Sequence, residues 1–159
     1  MKLLVFSDSH GKTRAMLSAA EREAPDMIVH LGDHACDAQE ISARFPAIPL
    51  LCVRGNCDFT PEHAVLETPE LCGRKLFIAH GHYYGVKSGT AGIVRAATDA
   101  GANIVLFGHT HKAIIDQSGR TRLFNPGSIS NHMWNRERTY GIIHLGKDAI
   151  QCEIKKAPA

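Results

Sequence analysis

The sequence is punctuated by short apolar runs that each stop at residues able to bind a metal or carry a proton. The first, Leu3–Phe6, is β-rich and ends in Ser7-Asp8-Ser9-His10-Gly11. Met27–Leu31 runs into Gly32-Asp33-His34, and Leu50–Val53 into Arg54-Gly55-Asn56-Cys57-Asp58. Arg74–Ala79 ends in His80-Gly81-His82, and Asn103–Phe107 in Gly108-His109-Thr110-His111. Loops at the carboxyl ends of strands are where α/β folds place their chemistry. A single Asp-x-His pair at a strand end is a weak signal, because a loop needs polar residues anyway. Five strand ends with the same cargo are hard to produce by chance.

The stretches between these runs alternate with them. Thr13–Glu23 carries Met16, Leu17 and Ala20 at helical spacing, with Thr13 as the expected cap and Pro25 beyond its end. Asp37–Phe45 reads as a second helix, closed by Pro46. Three strand–loop–helix units in a row imply a βαβ start and a parallel sheet. Leu66–Glu70 and Arg74–Ala79 read as strands around the Cys72-Gly73 turn. Gly89–Ala100 reads as a third helix with Ile93, Val94 and Ala97 on one side. From Ala113 the pattern is all strands: Ala113–Asp116, Arg122–Phe124, Tyr140–Leu145 and Ala149–Lys155, interrupted by an Asn125-Pro126-Gly127-Ser128 turn. No repeat or linker is legible, so the expectation is one α/β domain over residues 1–159.

Charge and cysteine usage narrow the function classes. A formal charge of +2 gives no reason to expect a nucleic-acid surface. Only Lys2 precedes the first apolar run, which does not make a signal peptide, and no run approaches the ~20 residues of a membrane span. Five cysteines, without a C-x-x-C pair, argue against a disulfide frame and a structural zinc site. The expected compartment is the cytoplasm.

The strand ends together supply Asp8, His10, Asp33, Asn56, His80, His109 and His111: four imidazoles, two carboxylates and one amide oxygen. That mixture, with no thiolate in it, suits two borderline divalent ions better than one closed tetrahedral zinc. A carboxylate can bridge two such ions at roughly 3.5–4 Å.

Taken in order, Asp8-x-His10, Gly32-Asp33, Gly55-Asn56-Cys57-Asp58, His80 and Gly108-His109-Thr110-His111 resemble the five motifs of the calcineurin-like metallophosphoesterases. The resemblance runs from Asp8 to about Ser128, and is strongest to the small prokaryotic phosphodiesterase branch. It implies a four-layer α-β-β-α sandwich of two mixed sheets, with the site at the carboxyl ends of the strands. It also implies that Asp8, His10 and His111 hold one metal, that Asn56, His80 and His109 hold the other, and that Asp33 bridges them. The implied cofactors are two divalent transition-metal ions, Mn²⁺ first, with Ni²⁺, Zn²⁺, Fe²⁺ or Co²⁺ as alternatives. The implied activity is hydrolysis of a small phosphodiester by a hydroxide shared between the ions. A phosphomonoesterase or nucleotide pyrophosphatase using the same metals is the near alternative. A non-catalytic protein-interaction scaffold of the same fold is the distant one, and a homo-oligomer is compatible with either.

One position departs from the family. Many relatives have His where this chain has Cys57, oriented by the residue matching Asp58 and thought to assist the leaving group. Asp33, Asn56 and His80, together with Cys57 and Asp58, are the expected catalytic residues. A thiol is a weak donor with an ordinary pKa of about 8.5, so the acid must come from elsewhere or the leaving group must be a good one.

The remaining polar residues have plainer readings. His30 is expected to be packed and hydrogen-bonded inside its strand. His34 and Asp37 are expected either to support the ligands or to lie in a solvated loop. His82 has even odds of touching substrate or orienting a ligand, and His63 and His144 are read as ordinary. Arg54 is read as a salt-bridge partner. Cys36, Cys52, Cys72 and Cys152 are read as small buried hydrophobes. His132, Trp134 and Arg136–Arg138 form a loop that either lines the cleft or is a solvated charge cluster.

Overall fold

The computed structural model describes residues 1–59, 61–130 and 137–158. His132, Trp134 and Arg136 lie outside the described residues, so the reading of their loop has no structural counterpart. The chain forms β1 (Lys2–Phe6), α1 (Thr13–Glu23), β2 (Met27–His30), α2 (Asp37–Arg44), β3 (Leu50–Cys52), β4 (Leu66–Glu67), β5 (Glu70–Leu71) and β6 (Arg74–Ala79). A 3₁₀ turn at His82–Tyr84 follows, then α3 (Ala91–Asp99), β7 (Ile104–Leu106), β8 (Ala113–Asp116), β9 (Arg122–Pro126), β10 (Thr139–Leu145) and β11 (Ile150–Lys156).

These strands make two mixed sheets. The first has the order β11-β10-β1-β2-β3, with β1, β2 and β3 parallel and β10 antiparallel to β1. The second has the order β4-β6-β7-β9-β8, with β6, β7 and β9 parallel and β5 paired to β6. Side-chain alternation along the strands then decides the layers. Leu3 and Val5 of β1 meet Leu76, Ile78, Ile104, Leu106 and Phe124 of the other sheet in the central core. Leu4 and Phe6 point the other way, onto Ala15, Met16, Ala19 and Ala20 of α1 and Ile41 of α2. On the opposite face Phe77, Val105 and Leu123 pack on Ile93 and Ala97 of α3. The result is a four-layer sandwich, helices outside and two sheets inside. Each fully buried side chain of the Met16 or Leu4 kind contributes about 1.5–3 kcal/mol.

One buried ionic knot ties the first sheet to α1. Glu23 accepts Lys2 Nζ at 2.9 Å, Tyr140 Oη at 2.9 Å and Lys155 Nζ at 3.1 Å. Burial alone would push this carboxyl up, but those three donors hold it at about 2. No helix among the described residues is long and apolar enough to cross a membrane.

Several local expectations are corrected. Thr13 is the first residue of α1 and does not cap it; Lys12 occupies the cap, without a side-chain hydrogen bond. The stretch expected as one strand from Leu66 to Glu70 is two two-residue strands, because Pro69 withholds an N–H between them. Asn125 and Pro126 complete β9, so the turn begins later than its sequence implies. Cys36 is exposed and Cys72 and Cys152 are half-buried, leaving Cys52 as the buried one of the four.

Candidate metal centre

The carboxyl ends of the parallel strands of both sheets come together at one end of the sandwich. Backbone hydrogen bonds lace the loops across the gap: Asp8 N to Gly32 O at 3.0 Å, Ser9 N to Asp33 O at 3.2 Å, and Gly108 N to His80 O at 3.0 Å. Two triads result. Ligand atoms of Asp8, His10 and His111 lie within 4.8 Å of one another, as do those of Asp33, His80 and His109.

These loops are strained where they present their side chains. Asp8, His10, Asp33, His109 and His111 have φ of 53°, 43°, 57°, 65° and 56°. The left-handed region costs a residue with a Cβ about 1–2 kcal/mol, and strain of this kind gathers at functional sites. Two glycines make the geometry feasible. A Cβ on Gly55 would overlap Asp33 Oδ1, and one on Gly108 would overlap Ser7 Oγ and crowd Asp8 Oδ2. The glycines before Asn56 and His109 are therefore there to let carboxylates come close.

The site's electrostatics follow from which atoms are already engaged. His80 Nδ1 lies 2.7 Å from Leu31 O, a contact that requires the proton on Nδ1. Its Nε2 is then a buried acceptor, 3.4 Å from Asp33 Oδ2 and 3.9 Å from Asp8 Oδ1. Neither Nε2 nor Asp8 Oδ1 has a hydrogen-bond partner among the described residues, although His111 Nε2 approaches Asp8 Oδ1 at 3.0 Å. His80 Nε2 and two carboxylate oxygens thus face one another in a buried space, an arrangement that a positive charge among them, a proton or a metal cation, stabilises. The donor set of imidazoles and carboxylates is one that divalent transition ions accept. Divalent metals therefore fit.

Neighbouring charge shifts the titrating groups accordingly. Burial lowers His109 to about 4, helped by His80, and burial also lowers His10. His80 is raised: burial opposes its charge, but Asp33 and Asp8 outweigh it. Asp8 and Asp33 are both held below the usual carboxylate range despite burial, Asp8 through His111 and His80, Asp33 through His80 and the Cys57 amide.

The other expected residues fall into distinct places. Asn56 is exposed, and its Nδ2 donates to Cys57 Sγ at 3.4 Å. Cys57 is exposed, and its amide donates to Asp33 Oδ1 at 2.9 Å. Partial burial and then the Asp33 charge push the Cys57 thiol up to about 11. The Asp58 carboxylate accepts three backbone amides, from Asp33 at 2.9 Å, Ala35 at 2.8 Å and Gly55 at 2.7 Å. His30 is fully buried; it accepts the Gly32 amide at 3.2 Å, and its Nε2 lies 3.0 Å from Ser9 Oγ. Asp37 is buried rather than solvated and accepts Ser9 Oγ and the Gly11 amide. His82 stacks near the site, its ring 5.4 Å from His80 and 6.1 Å from His109.

Sequence reasoning missed some supports. Ser7 Oγ donates to Asp8 Oδ2 at 2.5 Å, Ser128 Oγ to Asp8 O at 2.9 Å, and Asn125 Nδ2 to Gly108 O at 2.9 Å. Asn-Pro-Gly-Ser reads as plain turn chemistry, so only the fold, by closing β9 against the ligand loops, reveals its purpose.

The model of the calcineurin-like phosphoesterase superfamily domain matches residues 1–148. The chain belongs to that superfamily. It is 33% identical over 152 residues to a Bacillus subtilis protein named "Probable metallophosphoesterase YsnB", covering 94% of this chain and 87% of that one. It is 26% identical over 167 residues to the phosphodiesterase YfcE of Escherichia coli, covering 90% and 87%. The solved YfcE structure superposes with a TM-score of 0.69 over 91% of this chain and 88% of that one. The fold is also shared with Vps29 of Entamoeba histolytica complexed with Zn²⁺, at 18% identity, a TM-score of 0.80 and coverage of 98% and 99%. Membership of a superfamily of metal-using hydrolases agrees with the two triads.

Proposed function

We propose that the chain is a binuclear metal-dependent phosphodiesterase, active as a single domain on small phosphodiesters in the cytoplasm. The observation that carries the metal dependence is the buried, unpartnered His80 Nε2 facing the carboxylates of Asp33 and Asp8. Asp8, His10 and His111 would hold one ion, Asn56, His80 and His109 the other, and Asp33 both, with Mn²⁺ the first candidate. Bound divalent ions supply Lewis-acid charge for the phosphoryl oxygens and a water of lowered pKa.

The chain's own residues set up that chemistry. His80 is held in one tautomer by Leu31 O, so the neutral ring presents its Nε2 lone pair. The Cys57 amide fixes one oxygen of Asp33 and leaves the other toward His80. Asn56 offers a neutral oxygen, which adds a donor without adding negative charge where an anionic ester must approach. Preference for diesters over monoesters is supported by the name of YfcE.

Metal analysis of the purified chain, combined with rates on a panel of phosphomonoesters and phosphodiesters, tests this reading. Two bound ions and a preference for diesters are expected. Full activity in demonstrably metal-free protein would overturn it. The shared fold with Vps29 favours a second reading, a scaffold that binds metal without turnover. Two tightly bound ions with no hydrolysis of any panel member would select it.

A further inference from the structure

A third cluster of donors lies outside the two triads. His34, Cys36 and Asp37 each offer one ligand atom, and those atoms lie within 4.8 Å of one another. A tetrahedral Zn²⁺ with bonds of about 2.0–2.3 Å sets nitrogen, sulfur and oxygen ligands roughly 3.4–3.7 Å apart. Side-chain adjustments on the order of an ångström therefore close the cluster around an ion.

Each member is held or left open in a way that suits a ligand. His34 sits at φ 68°, a left-handed residue directly after another one, Asp33. Its ring lies 5.0 Å from that of His10, centroid to centroid. Asp37 is buried, and Ser9 Oγ at 2.7 Å and the Gly11 amide at 2.8 Å both fix its Oδ2. Such outer partners orient a carboxylate ligand. Cys36 is exposed and lines a cleft of about 190 Å³ together with His34, Cys57, Asp58 and Phe59. The cleft leaves room for a water or for a fourth ligand.

We propose that His34, Cys36 and Asp37 form a third cation site, for a borderline-soft divalent ion such as Zn²⁺, at the rim of the dinuclear centre. Its donor set of one imidazole, one thiolate and one carboxylate differs from the thiolate-free triads, so it selects a different ion. Mn²⁺ favours the triads, while Zn²⁺ and Co²⁺ gain from the sulfur. The site stands whether or not the triads are catalytic.

Co²⁺ titration of the full-length chain tests this, because a thiolate ligand gives a sulfur-to-cobalt charge-transfer band in the near ultraviolet. The band is expected in the parent, absent in Cys36→Ser and retained in Cys57→Ser. His34→Gln should weaken the Co²⁺ affinity read from that band by roughly tenfold or more. Zn²⁺ equivalents measured against a competing chelator should fall by one in Cys36→Ser, with two remaining. Circular dichroism melting of each variant confirms that the protein measured is folded, which the exposure of Cys36 favours. A parent without the band, a band that survives Cys36→Ser, or one lost in Cys57→Ser overturns the proposal. So does an unchanged Zn²⁺ stoichiometry in Cys36→Ser.

Discussion

Replacing Asp58 by Ala should cost the protein both stability and metal. The Asp58 carboxylate receives three backbone N–H groups at 2.7–2.9 Å, two of them from residues 33 and 35 of the Asp33 loop and one from Gly55. Hydrogen bonds to a charged acceptor contribute about 1.5–3 kcal/mol each. Three of them would sum to about 4–9 kcal/mol if the site were dry. Asp58 is only half-buried, so water replaces part of what is lost, and about 2–4 kcal/mol is the expected net loss. For a chain of this size that lowers the melting temperature by roughly 4–16 °C. The Asp33 loop is also the one held at φ 57° and 68° through Asp33 and His34. Without the three bonds only the Cys57 amide on Asp33 Oδ1 and backbone bonds such as Ser9 N to Asp33 O oppose its relaxation, and Asp33 should shift from its place beside His80. Asp58→Asn keeps one acceptor oxygen but no charge, and should fall between parent and Ala. Urea denaturation gives the free energies, and elemental analysis gives the bound metal. If Asp58→Ala lies within about 0.5 kcal/mol of the parent and holds the same two ions, the carboxylate is not what positions Asp33.

Further outcomes follow from the same geometry. Chelation should abolish hydrolysis and Mn²⁺ should restore it, whereas Mg²⁺ should restore it poorly because four imidazoles suit it badly; rates before and after reconstitution check this. Asp33→Asn should weaken both ions together and His111→Ala mainly one, read as metal equivalents by elemental analysis. Glu23 is held at about 2 in the fold against 4.5 normally. A depressed carboxyl stabilises above its unfolded pKa, so this contribution, about 3 kcal/mol, is complete above about pH 5 and fades toward pH 2; Glu23→Gln should flatten the acid limb of a urea-denaturation series. Rates across aryl phosphodiesters should fall steeply as the leaving phenol's pKa rises, and Cys57→His should flatten that slope; a shallow slope in the parent, with chemistry rate-limiting, would implicate another acid.

Much of this architecture is written in local sequence. β1, β2, β3, β6 and β7 are apolar runs that stop at polar residues, and α1 has the Met16–Ala20 spacing of a one-sided helix. Local pattern does not say which strands pair. β10 docks antiparallel to β1 from more than a hundred residues away, with Leu3 opposite Ile143, and nothing in Tyr140–Leu145 announces that partner. The division into two sheets came only from the family resemblance, for the same reason. At the site, residue types at strand ends were legible because metal chemistry restricts them to a few side chains. The supports were not, since Ser7, Asn125 and Ser128 act through backbone and carboxylate contacts that any turn residue can make in principle. Asp58 was legible as a site residue but not as a backbone anchor: its partners are amide groups, which every sequence position carries. Cys36 departs from the expectation because cysteine is usually buried, and here the cleft beside α2 leaves it exposed.

Cys57 acts on the Asp33 loop first through its backbone. Its backbone amide holds Asp33 Oδ1 at 2.9 Å, and any residue other than proline supplies that amide. Its side chain is exposed yet also bears on Asp33, and partial burial and then that carboxylate push the thiol up to about 11. A group that holds its proton so firmly, and donates it so weakly in a hydrogen bond, gives a departing alkoxide little help. The neighbouring carboxylate, which could orient an imidazole, is committed to three amides instead. The two residues therefore act on the Asp33 loop through contacts with backbone amides. Selection among substrates then falls to the leaving group's own stability: esters whose departing oxygen carries its charge well should be hydrolysed, and simple alkyl esters should be left nearly untouched.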